Sequence, residues 1–168
     1  MQTYLEAQGW LERAERELLV RLAREVPPEG FMLNVGVEYG ASVVCLWTGN
    51  PWARLLAVDV DNSKIANRVF TAQYMTQDSK ELLARWSAEQ GIDLAFIDGD
   101  HGYAGVLSDC GFARFIKPSG VIVFHDYVRE IVPGVRQAID EWWRAQPPGA
   151  WQDKGVIEST RYFQRAAR

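Results

Sequence analysis

Four short apolar runs, each ending at a glycine or an aspartate or at a histidine–aspartate pair, constrain the fold of this chain most strongly. They occupy residues 31–35, 55–58, 94–97 and 121–124. Nearly continuous apolar runs of this length are typical of strands buried on both faces of a parallel sheet. Helix-like stretches separate them, so the sequence predicts strands that alternate with helices.

The predicted fold is one α/β domain over residues 1–168, with a Rossmann-like, doubly wound and mostly parallel sheet. A chain of 168 residues with 48% hydrophobic residues is long and apolar enough to bury one such core. The expected parts are an N-terminal helix within residues 1–26, a ligand-binding core over 31–127, and a last helix with a C-terminal antiparallel hairpin over 128–168. Helices are predicted over 3–25, 41–47, 62–70, 79–89, 104–115 and 135–143, a third strand over 72–75, and hairpin strands over 155–158 and 162–164.

Charge and hydropathy exclude some partners. The formal net charge of −4 does not favour nucleic-acid binding through phosphate contacts. No run reaches the roughly 18–20 apolar residues that a bilayer span needs, and residues 1–26 lack the pattern of a signal or transit peptide. We therefore expect a cytoplasmic protein that binds neither membrane nor nucleic acid.

The first predicted strand is followed by a glycine-containing loop, Gly36–Ser42, of the form G-x-x-x-G-x-S. This spacing is not the G-x-G-x-x-G of dinucleotide-binding proteins, and a dinucleotide oxidoreductase is therefore disfavoured. Glu38 in the loop would repel a pyrophosphate but suits a ligand that carries a cationic amine. S-adenosylmethionine is such a ligand.

Acidic residues follow the second and third predicted strands. Asp59 is placed to accept hydrogen bonds from both ribose hydroxyls of a nucleoside, although an aspartate at this position is equally typical of a helix N-cap. Asp78 and Ser79 are candidates to receive the amino group of an adenine, and Ser79 is also a candidate N-cap.

Asp98 and Asp126 end two strands that are predicted to be neighbours. Two carboxylates this close repel each other unless a cation lies between them, and Mg²⁺ or another divalent cation would suit their oxygens. His101 is a candidate general base, because the ordinary pKa of histidine lies near neutrality. His125 is a candidate metal ligand, an orienting group or a hydrogen-bonded strand end.

Residues 93–109, D-L-A-F-I-D-G-D-H-G-Y-A-G-V-L-S-D, and 116–127, I-K-P-S-G-V-I-V-F-H-D-Y, resemble class I S-adenosylmethionine-dependent methyltransferases. The similar branch is methyltransferase family 24, related to sugar, macrolide and catechol-type O-methyltransferases. The resemblance implies the class I methyltransferase topology. Asn34 stands where the family commonly has an acid, and Tyr127 stands where catechol-type enzymes have asparagine.

The resemblance also implies a set of site residues. The catalytic residues it implies, taken together with the candidates above, are His101 and Asp98, and the metal ligands are Asp98, Asp126 and His125. The cofactor-binding residues are Asn34, Gly36, Val37, Glu38, Tyr39, Gly40, Ser42, Asp59, Val60, Asp78, Ser79 and Asp98.

The predicted activity is S-adenosylmethionine-dependent, Mg²⁺-assisted O-methylation of a hydroxyl on a small molecule or glycan. Few loops are available to enclose such an acceptor, so we expect an open site or one completed by the second subunit of a homodimer. Two alternatives stay open at this point: a hydroxylase-type relative on the same fold, and a non-catalytic module that binds S-adenosylmethionine or a related adenosine ligand.

Overall fold

A mixed sheet of seven strands forms the centre of the protein in the computed structural model, which describes residues 3–167. The strands are β1 (Phe31–Val35), β2 (Arg54–Asp59), β3 (Gln73–Thr76), β4 (Ile92–Ile97), β5 (Ile116–Phe124), β6 (Trp151–Ile157) and β7 (Thr160–Arg165). Their order is β3-β2-β1-β4-β5-β7-β6. The first five are parallel, whereas β7 runs antiparallel to β5 and to β6. The predicted sheet with its C-terminal antiparallel hairpin is confirmed.

Helices cover both faces of the sheet, as expected for a doubly wound fold. They are α1 (Arg13–Glu25), α2 (Ala41–Gly49), α3 (Ser79–Arg85), α4 (Tyr103–Asp109) and α5 (Pro133–Arg144). One buried apolar cluster joins α1 and α2 to the first face, and another joins α4 and α5 to the second. Among residues 3–167, no helix has the length and apolarity needed to cross a bilayer.

The N-terminal helix begins at Arg13 and is therefore shorter than the helix predicted over residues 3–25. The buried guanidinium of Arg16 donates hydrogen bonds to the carbonyl oxygens of Tyr4, Ala7, Gly9 and Leu11. These bonds hold residues 4–11 as turns against the body of the protein. Met1 and Gln2, which also fall within the predicted 1–26 segment, lie outside the described residues.

The prediction of a helix over residues 62–70 is wrong: only Asn62–Lys64 are helical, as a 3₁₀ turn. The backbone amides of Ala66 and Asn67 donate to the carbonyl oxygen of Tyr39, and that of Val69 donates to the Tyr74 hydroxyl. Tertiary partners thus take the donors that a helix would have used. The segment supports the glycine-containing loop instead.

Other boundaries differ by a few residues. Helix α3 ends at Arg85 rather than at 89, because Trp86 turns its indole into the core against Phe31 and Phe112. Its N-cap is Asp78 rather than Ser79. The helix expected over 104–115 is α4 followed by a 3₁₀ helix over Cys110–Phe115, where Gly111 lowers the helix propensity. Strand β5 and the hairpin strands are longer than predicted.

Candidate functional site

A cleft of about 740 Å³ opens at the carboxyl ends of the parallel strands. It lies where the strand order reverses between β1 and β4, which is the position at which open α/β sheets bind ligands. The following predicted site residues line it: Gly36, Val37, Glu38, Tyr39, Ser42, Asp59, Val60, Asp78, Ser79, Asp98, His101, His125 and Asp126. Asn34 and Gly40 do not line it and stand behind its wall.

The glycine-containing loop is held by the carboxylate of Asp59. Its Oδ2 accepts hydrogen bonds from the backbone amides of Val37, at 2.7 Å, and Glu38, at 3.1 Å. Its Oδ1 accepts one from the amide of Asp61, at 2.9 Å. Asp59 therefore has a structural role in holding the loop. Each of its carboxylate oxygens also retains lone pairs that a ligand could use, and hydrogen bonding to a ribose stays a prediction.

Asn34 is fully buried within β1 and reaches the cleft only through a neighbour. Its Nδ2 donates to the carbonyl oxygen of Gly36, at 2.7 Å, whereas its Oδ1 has no partner among the described residues. Gly40 adopts a left-handed conformation and precedes the first residue of α2. Both residues therefore shape the glycine-containing loop, and neither forms part of the inner surface of the cleft.

Gly36 is required by its surroundings. Its φ is +82°, and a Cβ built on it would lie 1.9 Å from the carbonyl oxygen of Asp98. We expect Gly36→Ala to lower the free energy of unfolding by about 1–3 kcal/mol, from backbone strain alone, and to weaken nucleoside binding. Urea unfolding and ligand titration measure the two effects. Gly149→Ala is the control, since Gly149 also has positive φ but no atom within 4 Å of its Cβ position. Equal losses in both variants would show that crowding at Gly36 is irrelevant.

Three side chains from the ends of β4 and β5 converge on one side of the cleft. Ligand atoms of Asp98, His101 and Asp126 all lie within 4.8 Å of one another. His101 Nε2 is 3.2 Å from Asp126 Oδ2 and 3.6 Å from Asp98 Oδ1. The two aspartates were predicted to meet because their strands pair, but His101 rather than His125 stands as the third member of this cluster.

The charge state of His101 differs from the one expected of a general base. Hydrogen bonds to Asp126 first, and then to Asp98, raise the pKa of His101 to about 10. The imidazole therefore carries a proton at neutral pH, and in this state it donates a hydrogen bond rather than accepting a proton. Accepting a proton would require a cation that neutralises the two carboxylates.

His125 is buried between the two aspartates of the cluster and Glu15 of α1. Its Nδ1 lies 3.0 Å from Asp98 Oδ1 and 3.3 Å from Asp126 Oδ1, and its Nε2 lies 3.3 Å from Glu15 Oε2. Burial alone would lower the pKa of His125, but the hydrogen bonds to Asp98 and Glu15 raise it to about 10. Both ring nitrogens are thus engaged by carboxylates. His125 was predicted to be a metal ligand, an orienting group or a hydrogen-bonded strand end. Because carboxylates occupy both of its ring nitrogens, an orienting group fits better than a metal ligand.

Glu15 is the partner that sequence reasoning missed. It is 1% exposed, and its Oε1 accepts hydrogen bonds from the amide and hydroxyl of Ser159 and from the hydroxyl of Thr160. Burial opposes its ionisation, but the hydrogen bonds from His125 and Ser159 lower its pKa to about 2. In the sequence it belongs to a run of alternating charges, and nothing there distinguishes it from its solvent-exposed neighbours.

The paired charges predict how stability depends on pH. The pKa of Glu15 falls from 4.5 to about 2 on folding, so its contribution is present above pH 4.5 and is lost as the pH falls toward 2. The pKa of His125 rises from 6.5 to about 10, so its contribution is present below pH 6.5 and is lost as the pH rises toward 10. We expect the pair to contribute most between these limits. Urea unfolding across pH 3–10 should show both losses, and an acid limb unchanged in Glu15→Gln would contradict the assignment.

Two further segments form walls that the sequence did not reveal. Trp10 and Leu11 from the turns before α1 line the cleft, as do Arg129, Ile131 and Val132 after β5. Arg129 pairs with Asp126, with Nε 2.7 Å from Oδ1. The cleft thus has apolar and cationic walls, although no long insertion separates β5 from α5.

The cluster of Asp98, His101 and Asp126 fits a divalent cation. Two carboxylates and an imidazole within 4.8 Å are a donor set for metals such as Mn²⁺, Fe²⁺ or Zn²⁺, and the carboxylates alone suit Mg²⁺. The carboxylates are already opposed by positive groups of the protein, namely His101, His125 and Arg129. A bound cation would therefore compete with the proton of His101 and with Arg129.

Comparison with known proteins relates the fold to function. A family profile described as a methyltransferase domain matches residues 33–127, more than half of the chain. An O-methyltransferase from Bacillus cereus, solved in complex with SAH, superposes with a TM-score of 0.71 at 16% identity, over 94% of this chain and 82% of that one. MycE, a methyltransferase of the mycinamycin biosynthetic pathway solved with Mg, SAH and mycinamycin VI, gives 0.73 at 14% identity, over 97% and 52%.

Two further relatives match this chain over very different lengths. CalS11, a TDP-rhamnose 3′-O-methyltransferase of calicheamicin biosynthesis, superposes with a TM-score of 0.65 at 16% identity, over 89% of this chain and 76% of that one. An uncharacterised protein of Acanthamoeba polyphaga mimivirus is 47% identical over 38 residues, which are 22% of this chain and 17% of that protein. The chain thus spans about half of MycE, and its match to the viral protein covers only a short segment. The similarity to the solved structures concerns the fold.

Proposed function

Since the chain belongs to the methyltransferase-domain family and has the class I S-adenosylmethionine-dependent methyltransferase fold, we propose that it transfers a methyl group to a hydroxyl oxygen of a small molecule or glycan. One observation carries the proposal. A single cleft joins the loop that contains Glu38 to the cluster of Asp98, His101 and Asp126. The first end suits a nucleoside with a cationic amine, and the second suits an acceptor hydroxyl.

The cofactor supplies an electrophilic methyl sulfonium, and a divalent cation at the cluster would supply a Lewis acid that lowers the pKa of a hydroxyl. Glu38 offers a carboxylate to the amine, and Asp59 fixes the loop through the amides of Val37 and Glu38. At the other end, a carboxylate oxygen of Asp98 or Asp126 accepts the single hydrogen bond that the acceptor hydroxyl donates and thereby orients its oxygen. Alignment of this kind supplies much of the rate when the electrophile is already reactive.

His101 acts in this proposal according to its charge state. While Asp126 and Asp98 hold it protonated, its Nε2 keeps a proton between the two carboxylates and limits their mutual repulsion. A carboxylate oxygen is then the group that receives the hydrogen bond of the hydroxyl. A cation held by Asp98 and Asp126 would oppose the charges that raise the pKa of His101, and an imidazole outside its coordination shell could then accept the proton.

Two of the structural relatives support a small-molecule or glycan acceptor. CalS11 is a TDP-rhamnose 3′-O-methyltransferase and MycE was solved with mycinamycin VI bound, and both compounds are small molecules. An acceptor of this kind needs a hydroxyl beside Asp126 and a body that packs against Trp10 and Ile131, two of the exposed apolar residues that line the cleft.

The proposal is tested first by calorimetric titration with S-adenosylhomocysteine and with NAD. We expect 1:1 binding of S-adenosylhomocysteine, no binding of NAD, and about tenfold weaker binding by Glu38→Ala, because a charged hydrogen bond to the ligand amine is lost. The control is Glu130→Ala, an exposed carboxylate beyond the cleft wall. Failure of folded protein to bind S-adenosylhomocysteine would contradict the proposal.

Transfer itself is measured with methyl-labelled S-adenosylmethionine and a panel of hydroxylated sugars, macrolides and phenols, with Mg²⁺, with Mn²⁺ and with chelator. Labelled acceptor identifies a methyltransferase. Tight cofactor binding without transfer across the panel would favour a non-catalytic binding module.

A further inference from the structure

Trp10 is a large apolar side chain that stays exposed on the wall of the cleft. It belongs to the turns before α1 and is 68% exposed, although it lines the cleft together with Leu11 and with Ile131, which is also exposed. An indole ring offers a ligand a broad flat surface, and its two side-chain torsions make it inexpensive to order. Trp10 therefore has the properties of a contact surface for a bound molecule.

The backbone on both sides of Trp10 is held by one buried side chain. The guanidinium of Arg16 is 6% exposed, and it donates hydrogen bonds to the carbonyl oxygens of Gly9, at 3.2 Å, and of Leu11, at 2.8 Å. It donates to two earlier carbonyl oxygens as well. Because a guanidinium presents its donors in a fixed planar geometry, these bonds fix the path of residues 4–11, here termed the strap.

Two further contacts hold the strap against the glycine-containing loop and α2. The Nδ2 of Asn67 donates to the carbonyl oxygen of Gln8, at 3.0 Å, and to that of Tyr39, at 2.8 Å. A Cβ built on Gly9 would lie only 2.5 Å from the Cβ of Ala41. The strap is thus packed closely against the site, and its position depends on several specific contacts.

Helix α1 connects the strap to the carboxylate cluster. Glu15 directly precedes Arg16, and its Oε2 lies 3.3 Å from His125 Nε2, whereas His125 Nδ1 lies 3.0 Å from Asp98 Oδ1. Two adjacent residues of one helix therefore hold the backbone around Trp10 and the side chains at the end of the cleft where the acceptor hydroxyl is proposed to bind.

The lining of the cleft is rich in negative charge. The cations Arg129 and His101 both approach Asp126, with Arg129 Nε 2.7 Å from Oδ1 and His101 Nε2 3.2 Å from Oδ2. The carboxylates that line the cleft are those of Glu38, Asp59, Asp78, Asp98, Asp100 and Asp126. An anionic group on the acceptor would meet repulsion from them.

We infer that Arg16 is a positioning residue that holds Trp10 as a platform for the acceptor, and that the acceptor presents an uncharged apolar face to it. The ring of a phenol and the apolar face of a macrolide meet this requirement, whereas a phosphate or sulfonate group does not. This inference rests on the proposed function, which places the acceptor hydroxyl at Asp98, His101 and Asp126.

The test compares two probes, 2-naphthol and 6-hydroxynaphthalene-2-sulfonate. Both carry a hydroxyl on the same ring system, and only the second is an anion. Each is titrated calorimetrically into the full chain saturated with S-adenosylhomocysteine. We expect 2-naphthol to bind at least about tenfold more tightly than the sulfonate, because like charges placed together at a binding site are strongly unfavourable.

Variants assign the binding to Trp10. We expect Trp10→Ala to weaken 2-naphthol binding about fivefold, because an aromatic contact is lost, and to leave the affinity for S-adenosylhomocysteine unchanged. Trp52→Ala is the matched control, since Trp52 is 80% exposed and lies outside the cleft. If Arg16 acts through Trp10, Arg16→Lys weakens 2-naphthol binding to a similar extent, and adding it to Trp10→Ala changes little further.

The outcomes separate this inference from the proposed function. The inference is overturned if protein saturated with S-adenosylhomocysteine does not bind 2-naphthol, prefers the sulfonate, or binds 2-naphthol equally well after Trp10→Ala. Equal losses in Trp10→Ala and Trp52→Ala, or additive losses in the double variant, overturn it as well. If Arg16→Lys does not fold, Gly9→Ala displaces the strap instead, and an unchanged affinity for 2-naphthol there overturns the inference. Failure of folded native protein to bind S-adenosylhomocysteine overturns the proposed function and the inference with it.

Discussion

Replacing Glu15 by alanine is expected to lower the free energy of unfolding by about 3–5 kcal/mol, since removal of one member of a buried ion pair is strongly destabilising. The charge left behind is that of His125, which is 4% exposed. The substitution also removes the acceptor for the amide and hydroxyl of Ser159 and for the hydroxyl of Thr160. Equilibrium unfolding in urea at pH 6 measures the loss.

The control is Glu17→Ala on the same helix. The side chain of Glu17 is 48% exposed and pairs with Arg13 one turn away, and exposed pairs of this kind contribute about 0.2–1 kcal/mol. A loss in Glu15→Ala no larger than that in Glu17→Ala would show that the buried network contributes little to stability. Glu15→Gln separates charge from shape, because it retains an acceptor for Ser159 but not the charge that opposes His125.

Asp126→Asn is expected to reduce the rate of methyl transfer by about 10²–10³-fold, because it removes a charged group that holds His101 and orients the acceptor hydroxyl. The Oδ2 of Asp126 lies 3.2 Å from His101 Nε2, and among residues 3–167 its side chain forms ion pairs with His101, His125 and Arg129 and none with the glycine-containing loop. The affinity for S-adenosylhomocysteine should therefore stay within about twofold of the native value, a difference of less than 0.5 kcal/mol. Rates with labelled cofactor and calorimetric titration measure the two quantities.

A divalent cation offers a second readout for this variant. If Asp98, His101 and Asp126 hold a cation, Mn²⁺ should raise the melting temperature of the native protein and not that of Asp126→Asn. Glu130→Gln, a change of the same chemistry at an exposed position of the same loop, should behave as the native protein in both assays. Loss of cofactor affinity in parallel with activity would mean that Asp126 supports the whole cleft rather than the reacting end.

The sheet and the edge that bears the site could be predicted because they depend on local patterns. Apolar runs such as 94–97 identify buried strands, and the residues after each run come together because parallel strands end at a common edge. The meeting of Asp98 and Asp126 follows directly from the pairing of β4 with β5. No long-range information was needed for this part of the molecule.

The roles of the two histidines could not be predicted in this way. Each lies beside an aspartate at the end of a strand, and the sequence does not say that His125 is buried against Glu15 of α1 whereas His101 is half exposed in the cleft. The partner of His125 is Glu15, 110 residues away in the chain, and no local pattern reveals a contact over that distance.

The segment after β2 shows how tertiary structure overrides helix propensity. Residues 62–70 have a helical pattern, yet their amides bind Tyr39 and Tyr74. The segment thereby supports the loop of the site, and a stable helix there would leave the carbonyl oxygen of Tyr39 without these donors.

The contact between Glu15 and Ser159 sets a condition on the order of assembly during translation. Glu15 belongs to the first helix, and its partners Ser159 and Thr160 lie 144 and 145 residues later, in the final hairpin. A nascent chain that has already exposed the glycine-containing loop and both aspartates on the ribosome still lacks the donors that keep Glu15, and through it His125, in place. Because the chain emerges from its N-terminus, the part of the cleft formed by Asp98, His101 and Asp126 takes its final form only after the β6–β7 hairpin has left the exit tunnel.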